Sequence, residues 1–158
     1  MSIDRVRAFF ADRGWNVQIM EFPVSSATVA LAAQALGTEE ARIAKTLAFQ
    51  NRDGGCLLLV TAGDAKISNR KFKDRFGFKA RMMSHEDTAA ATGHAVGGVC
   101  PFALPEQDVT VYCDESMKRF DIVYPAAGSS SSAIPLTCAQ LFQYSGAADW
   151  VDVCDLPG

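Results

Sequence analysis

Histidine is scarce in this chain: His85 and His94 are the only two among 158 residues. A serine nucleophile needs an imidazole to take its proton, and neither G-x-S-x-G nor H-E-x-x-H occurs, which argues against a serine hydrolase or a zinc peptidase. The five cysteines (Cys56, Cys100, Cys113, Cys138, Cys154) are odd in number, widely spaced and without a C-x-x-C pair. Neither a disulfide framework nor a metal site is indicated, and no cofactor is implied. No apolar run approaches the ~20 residues that cross a bilayer, and the start Met1-Ser2-Ile3-Asp4-Arg5-Val6-Arg7 lacks a secretory layout. A cytoplasmic protein without a membrane partner is expected. Linker composition is also missing, because the one low-complexity stretch, Ala127 to Ser132, is too short to separate domains.

What is present suits one globular domain over residues 1–158, since 49% of the residues are hydrophobic and 21% charged. Ser2 is placed to cap a first helix that Gly14 ends, and Trp15 to Phe22 reads as a strand. Ser25 or Ser26 is expected to cap an alanine-rich helix ending at Gly37, and Thr38 to start a short turn into Ile43. Ala44–Gln50 and Cys56–Ala62 read as a hairpin around residues 51–55, with Leu57 to Val60 apolar on both faces and therefore central. Helices follow at Ser68–Phe76, stopped by Gly77, and from Ser84 to about Ala91. Val109–Cys113, Phe120–Tyr124 and Ala133–Leu136 read as strands, Asp114–Lys118 as a helical turn, and Thr137 with Gln140 as a capping box for a last helix. The tail after Gly146 reads as peripheral. The fold class is mixed α/β, an antiparallel-rich sheet with surrounding helices.

Three features carry chemistry. Lys45 begins a strand among residues that otherwise look buried, so it either snorkels at the strand end or meets an anion in a cleft. The turn Gly93-His94-Ala95-Val96-Gly97-Gly98-Val99-Cys100-Pro101-Phe102 either joins two elements tightly or aims main-chain N–H groups at a carbonyl or phosphate oxygen. The segment Lys66 to Arg81 holds seven basic residues against the single acid Asp74, a local positive patch in a chain of net charge -3. It is either a solvated helix face or a surface for a polyanion. Cys100 reads as a small buried residue, His85 as a surface residue at a helix start and His94 as lacking a catalytic partner. The pairs Glu39-Glu40, Glu86-Asp87 and Asp114-Glu115 stand where helix dipoles already favour acids.

Four segments together resemble the YbaK/EbsC family, free-standing relatives of the editing domain of bacterial prolyl-tRNA synthetases. They are I-A-K-T-L around Lys45, T-G-H-A-V-G-G-V-C-P-F from Thr92, V-Y-C-D-E-S-M from Val111, and A-A-G-S from Ala126. The resemblance implies a compact α/β fold and hydrolysis of the ester of mischarged aminoacyl-tRNA. It implies that Lys45 engages the tRNA's 3′ end and that the loop from Gly97 to Pro101, with Val99 and Cys100, holds the aminoacyl group. Thr46, Gly128 and Ser129 then stand where neighbouring pocket residues are expected, and Met20, Phe22 and Val29 are candidates for the pocket wall. Serine or another small residue also occurs at the Cys100 position in relatives, so a thiol is not expected to be required.

An aminoacyl ester is already activated, so holding it and stabilising the oxyanion suffices without a protein nucleophile. On this reading the N–H groups of Gly97 and Gly98 face the carbonyl and water attacks with help from a ribose hydroxyl. Arg70, Lys71 and Lys73 would dock the acceptor stem by sequence-independent phosphate contacts. The expected partners are the acceptor end of aminoacyl-tRNA and an aminoacyl-tRNA synthetase. Two other readings stand beside this one: a non-catalytic module that binds tRNA or a synthetase, and a thiol enzyme dependent on Cys100.

Overall fold

Strand Cys56–Ala62 is buried at every position, as its run of apolar residues on both faces demands. The computed structural model describes residues 2–52, 54–95 and 97–157, so Asp53 of the hairpin loop and Val96 of the glycine loop lie outside the described residues. In chain order the elements are α1 (Ser2–Asp12), β1 (Met20–Glu21), α2 (Val29–Leu36), β2 (Ile43–Gln50), β3 (Cys56–Ala62), β4 (Lys66–Ile67), α3 (Asn69–Phe76) and α4 (His85–Thr92). There follow β5 (Val109–Asp114), β6 (Tyr124–Pro125), β7 (Ser132–Ala133), α5 (Cys138–Ser145), β8 (Asp149–Val151) and β9 (Cys154–Asp155). Single 3₁₀ turns occupy Glu40–Arg42 and Glu115–Arg119.

The main sheet runs β6-β2-β3-β5-β8. Its longest ladder is the antiparallel β2–β3 hairpin, from Ala44 opposite Ala62 to Gln50 opposite Cys56. The β2–β6, β3–β5 and β5–β8 pairs are parallel, and two short antiparallel sheets, β1–β7 and β4–β9, flank them. The mixed α/β class therefore holds. One aromatic cluster joins α1 to α5 through Phe10, Phe102, Trp15 and Tyr144, with Trp15 and Tyr144 stacked at 4.5 Å. Another seats α3 on the sheet, Phe72 lying 5.0 Å from Phe49 and Phe76 4.9 Å from Tyr112.

Helix ends follow local chemistry closely. Ser68 accepts the Lys71 N–H and Gly77 closes α3 in the left-handed conformation, while Ser84 accepts the Asp87 N–H and Thr137 with Gln140 forms a full capping box. The cap of α2 differs from expectation. Thr28 takes it, because the Ser26 N–H is committed to Ser130 O at 2.6 Å and Ser25 Oγ accepts the N–H of Ala27.

The strands differ more. Trp15 to Phe22 shortens to Met20–Glu21, since Trp15 is drawn into the aromatic cluster and only those two residues find β7. The strands expected at Phe120–Tyr124 and Ala133–Leu136 shorten likewise, to β6 and β7. The tail is not peripheral. β8 is an edge of the main sheet, Val153 is fully buried, and the buried Asp114 carboxylate accepts the Val153 and Ser116 N–H groups, each at 2.9 Å.

Candidate functional site

A cleft of ≈ 330 Å³ opens along the outer edge of β2. The start of α2 bounds it on one side and Met82, Met83 and the start of α4 on the other, with Gly97, Val99, Tyr124 and Ala126 completing the lining. Lys45 and Thr46 both reach it.

Successive strand residues point to opposite faces, so these two side chains serve different ends. Lys45 is half-buried and donates from Nζ to Ala65 O at 2.6 Å and Gly63 O at 3.5 Å. Burial draws its pKa below the usual lysine value, with Asp64 opposing that shift. The turn that supplies these carbonyls is itself fastened. Arg119 grips Asp64 through two bonds of 2.5 and 3.0 Å, and a Cβ on Gly63 would stand 2.1 Å from Glu40 O. Because Asp64 is committed to Arg119, the Lys45 ammonium has only neutral carbonyls as hydrogen-bond partners among the described residues. Thr46 presents the other anomaly: its hydroxyl is buried and has no hydrogen-bond partner there.

The glycine loop uses its glycines for close packing. Gly97 has φ +86°, and a Cβ there would meet Ala27 Cβ at 2.9 Å and Ser130 Cβ at 3.3 Å. A Cβ on Gly98 would lie 2.8 Å from the backbone of Gly128 and Ser129. The Gly98 N–H is already donated to Ala95 O at 3.0 Å, which removes it from the donors open to a substrate carbonyl and corrects the expectation for that residue. Gly128 and Ser129 buttress the loop from behind, outside the cleft lining, and Ser129 Oγ accepts the Ser131 N–H.

Two more loop residues turn away from the cleft. Cys100 is fully buried, its Sγ 3.5 Å from His94 Nε2, and burial pushes its thiol up to about 12. Pro101 lines a separate hollow with Phe9, Trp15 and Tyr144. The expected substrate contacts from Cys100 and Pro101 are therefore absent from the cleft lining, whereas Gly97 and Val99 belong to it. His94 is a core residue bonded to Ser2 Oγ through Nδ1 and to Phe102 O through Nε2 at 2.8 Å. Burial lowers its pKa, which keeps it neutral and structural.

Of the suggested wall residues, Val29 lines the cleft while Met20 and Phe22 do not. His85, read from sequence as a surface residue, is exposed and stands at the cleft mouth. Its only forerunner in the sequence is its place two residues after Met83, whose neighbour Met82 bridges to Phe49 of β2. The basic segment is partly neutralised. Lys71 Nζ lies 3.5 and 3.6 Å from Asp152 and Asp155, Arg75 lies 3.2 Å from Asp149 and Arg70 lies 4.0 Å from Asp74. Lys73, Lys79 and Arg81 are exposed and have no ion pair among the described residues, and Arg81 sits beside the methionine wall.

No helix among the described residues is long and apolar enough to cross a membrane. The model of the aminoacyl-tRNA editing domain family matches residues 24–144, a span that holds the whole cleft lining. The chain is 47% identical to the uncharacterized protein YwhH of Bacillus subtilis (strain 168), over 98% of both chains. It is 30% identical, over 66% of its length and 63% of the relative's, to an Enterococcus faecalis protein named "Putative Cys-tRNA(Pro)/Cys-tRNA(Cys) deacylase EbsC". A solved structure described as "a putative trans-editing enzyme for prolyl tRNA synthetase" superposes with a TM-score of 0.86 at 28% identity, over 99% of this chain and 98% of that one. Sequence, fold and the span that builds the cleft agree, and the chain belongs to the YbaK/EbsC family of aminoacyl-tRNA editing domains.

Proposed function

We propose that this protein hydrolyses the ester bond of mischarged aminoacyl-tRNA in trans. The observation that carries the reading is Lys45, a half-buried ammonium at a cleft, whose only hydrogen-bond partners among the described residues are carbonyl oxygens. A partly desolvated charge hydrogen-bonded only to neutral carbonyls among the described residues favours an anionic ligand, and the phosphate next to the terminal adenosine supplies one.

With the 3′ end held there, the acyl group lies along β2 between Thr46 and the loop at Gly97 and Val99. The ester is activated by its own chemistry, so positioning and hydrogen bonds to the carbonyl oxygen carry the acceleration, and a ribose hydroxyl of the substrate assists the attacking water. Cys100 takes no part, being buried and protonated. Lys73 and Arg81 offer the acceptor stem phosphate contacts, and Arg70 and Lys71 contribute once tRNA competes with their acidic partners. An aminoacyl-tRNA synthetase as second partner belongs to the same reading.

Single-turnover hydrolysis of a panel of mischarged tRNAs tests it. Wild type removes at least one acyl group, and Lys45→Ala slows that reaction by about 10- to 100-fold, the worth of a charge-assisted hydrogen bond. Unchanged activity in the variant removes Lys45 from the mechanism. Equal binding of charged and uncharged tRNA with no cleavage across the panel supports the binding-module reading instead.

A further inference from the structure

The outer edge of β2 is fastened at both ends and open between them. Ile43 and Ala44 pair with Tyr124 and Pro125 of β6. At the other end Met83 donates its N–H to Ala48 O at 2.9 Å, and Gln50 donates to Arg81 O at 2.8 Å. In an antiparallel ladder alternate residues turn their N–H and C=O away from the partner strand. Ala44, Ala48 and Gln50 face outward, so Thr46 does as well. No strand among the described residues is registered against Thr46 on that side. The N–H and C=O of Thr46 therefore face the cleft, beside a buried hydroxyl that itself has no partner among the described residues.

Unpaired strand edges bind extended peptide groups through such pairs. Here the flanking pairings leave room for a single residue. An aminoacyl ester carries its ammonium and its carbonyl on one α-carbon, the same donor and acceptor that a strand residue offers an edge. We propose that the Thr46 backbone reads the α-amino acid moiety of the substrate: Thr46 C=O accepts from the α-ammonium, and Thr46 N–H donates to the ester carbonyl oxygen. The proposal rests on the deacylase reading and adds to it a requirement for a free α-ammonium, whatever the amino-acid side chain. The second bond also polarises the carbonyl under attack, a task the engaged N–H of Gly98 cannot perform.

Two measurements test this. For an acyl group that the enzyme removes, the same tRNA is charged with the des-amino acid, which has hydrogen in place of the ammonium. Each rate is divided by its buffer rate, because the ammonium also activates the ester chemically. The acceleration is expected to fall by about 10- to 100-fold for the des-amino ester, and equal accelerations overturn the proposal while leaving the deacylase reading intact. In the second measurement, 15N-labelled protein is titrated with a 3′-aminoacylamido-adenosine, an amide that resists hydrolysis. The Thr46 amide resonance shifts with this probe and much less with its des-amino counterpart. A silent Thr46 amide overturns the proposal, and a responsive one with no hydrolysis of any charged tRNA overturns the deacylase reading alone.

Discussion

Replacing Thr46 by valine should make this protein more stable and less active. The two side chains have nearly the same shape, so the exchange swaps a hydroxyl for a methyl and leaves the backbone edge of β2 in place. That hydroxyl is buried without a hydrogen-bond partner among the described residues, and an unsatisfied buried hydroxyl costs ~1–3 kcal/mol. Thr46 as a residue is only partly buried, which favours the lower end, about 1 kcal/mol. Valine is also at least as well suited to a strand. For a domain of this size that gain corresponds to a rise in Tm of about 2–4 °C. If the hydroxyl is held for the bound substrate, its loss costs ~0.5–1.5 kcal/mol, or about 2- to 10-fold in kcat/KM. Urea and thermal unfolding give the first number and single-turnover deacylation the second. Thr46→Ser serves as the control, because it keeps the hydroxyl, loses the packed methyl and should move both readouts the other way relative to valine. If Thr46→Val unfolds earlier than wild type, or if it is more stable and fully active, the hydroxyl is not a group held unsatisfied for the substrate.

Three further outcomes follow from the site's surroundings. Gly63→Ala forces a Cβ to 2.1 Å from Glu40 O and should cost at least ~2 kcal/mol, a fall in Tm of about 4–8 °C; an unchanged melting curve would show that the turn yields freely. Cys100→Ala should keep full turnover, and in the wild type Cys100 should stay unmodified by a thiol reagent near pH 8 until the chain unfolds, because burial holds its pKa near 12. The hydrogen bonds from Arg119 hold the Asp64 carboxyl below its ordinary pKa, so its contribution is present above the unfolded value of about 4 and is lost as pH falls through the folded one. Asp64→Asn should therefore cost about 0.5–1 kcal/mol at pH 7, a figure set low for a partly exposed pair, and match wild type in urea unfolding at acid pH; a gap that persists there would assign the loss to packing.

How much of this was legible in the chain depends on how local each decision is. Ser68, Ser84 and Thr137, with Gly37 and Gly77, mark helix ends correctly because a cap is settled within four residues. Lys45 stands out because one charge interrupts an apolar strand. The glycine loop reads equally as a cradle or a packed turn, and the choice rests on Ala27, Gly128 and Ser130, all distant in sequence. The tail reads as peripheral because the group that fastens it, Asp114, lies 39 residues before Val153.

Least legible is the open edge of β2, because it is made by where the neighbouring chain stops. Phe120 to Tyr124 reads as one strand, and nothing in its pattern says which neighbour it follows or how far. Val123, however, exchanges both backbone bonds with Leu136, at 2.8 and 3.0 Å. Pro125 has no N–H to offer, and its C=O is taken by the Ile134 N–H at 2.9 Å. The Ala127 N–H goes to Ser132 Oγ at 3.1 Å. The segment after β6 is thus drawn toward residues 132–136 and away from β2, which leaves Thr46 uncovered. Hydrophobic periodicity can say that a strand exists but not which of two neighbours its edge will satisfy, and in this fold that choice is what leaves the edge of β2 open to the cleft at Thr46.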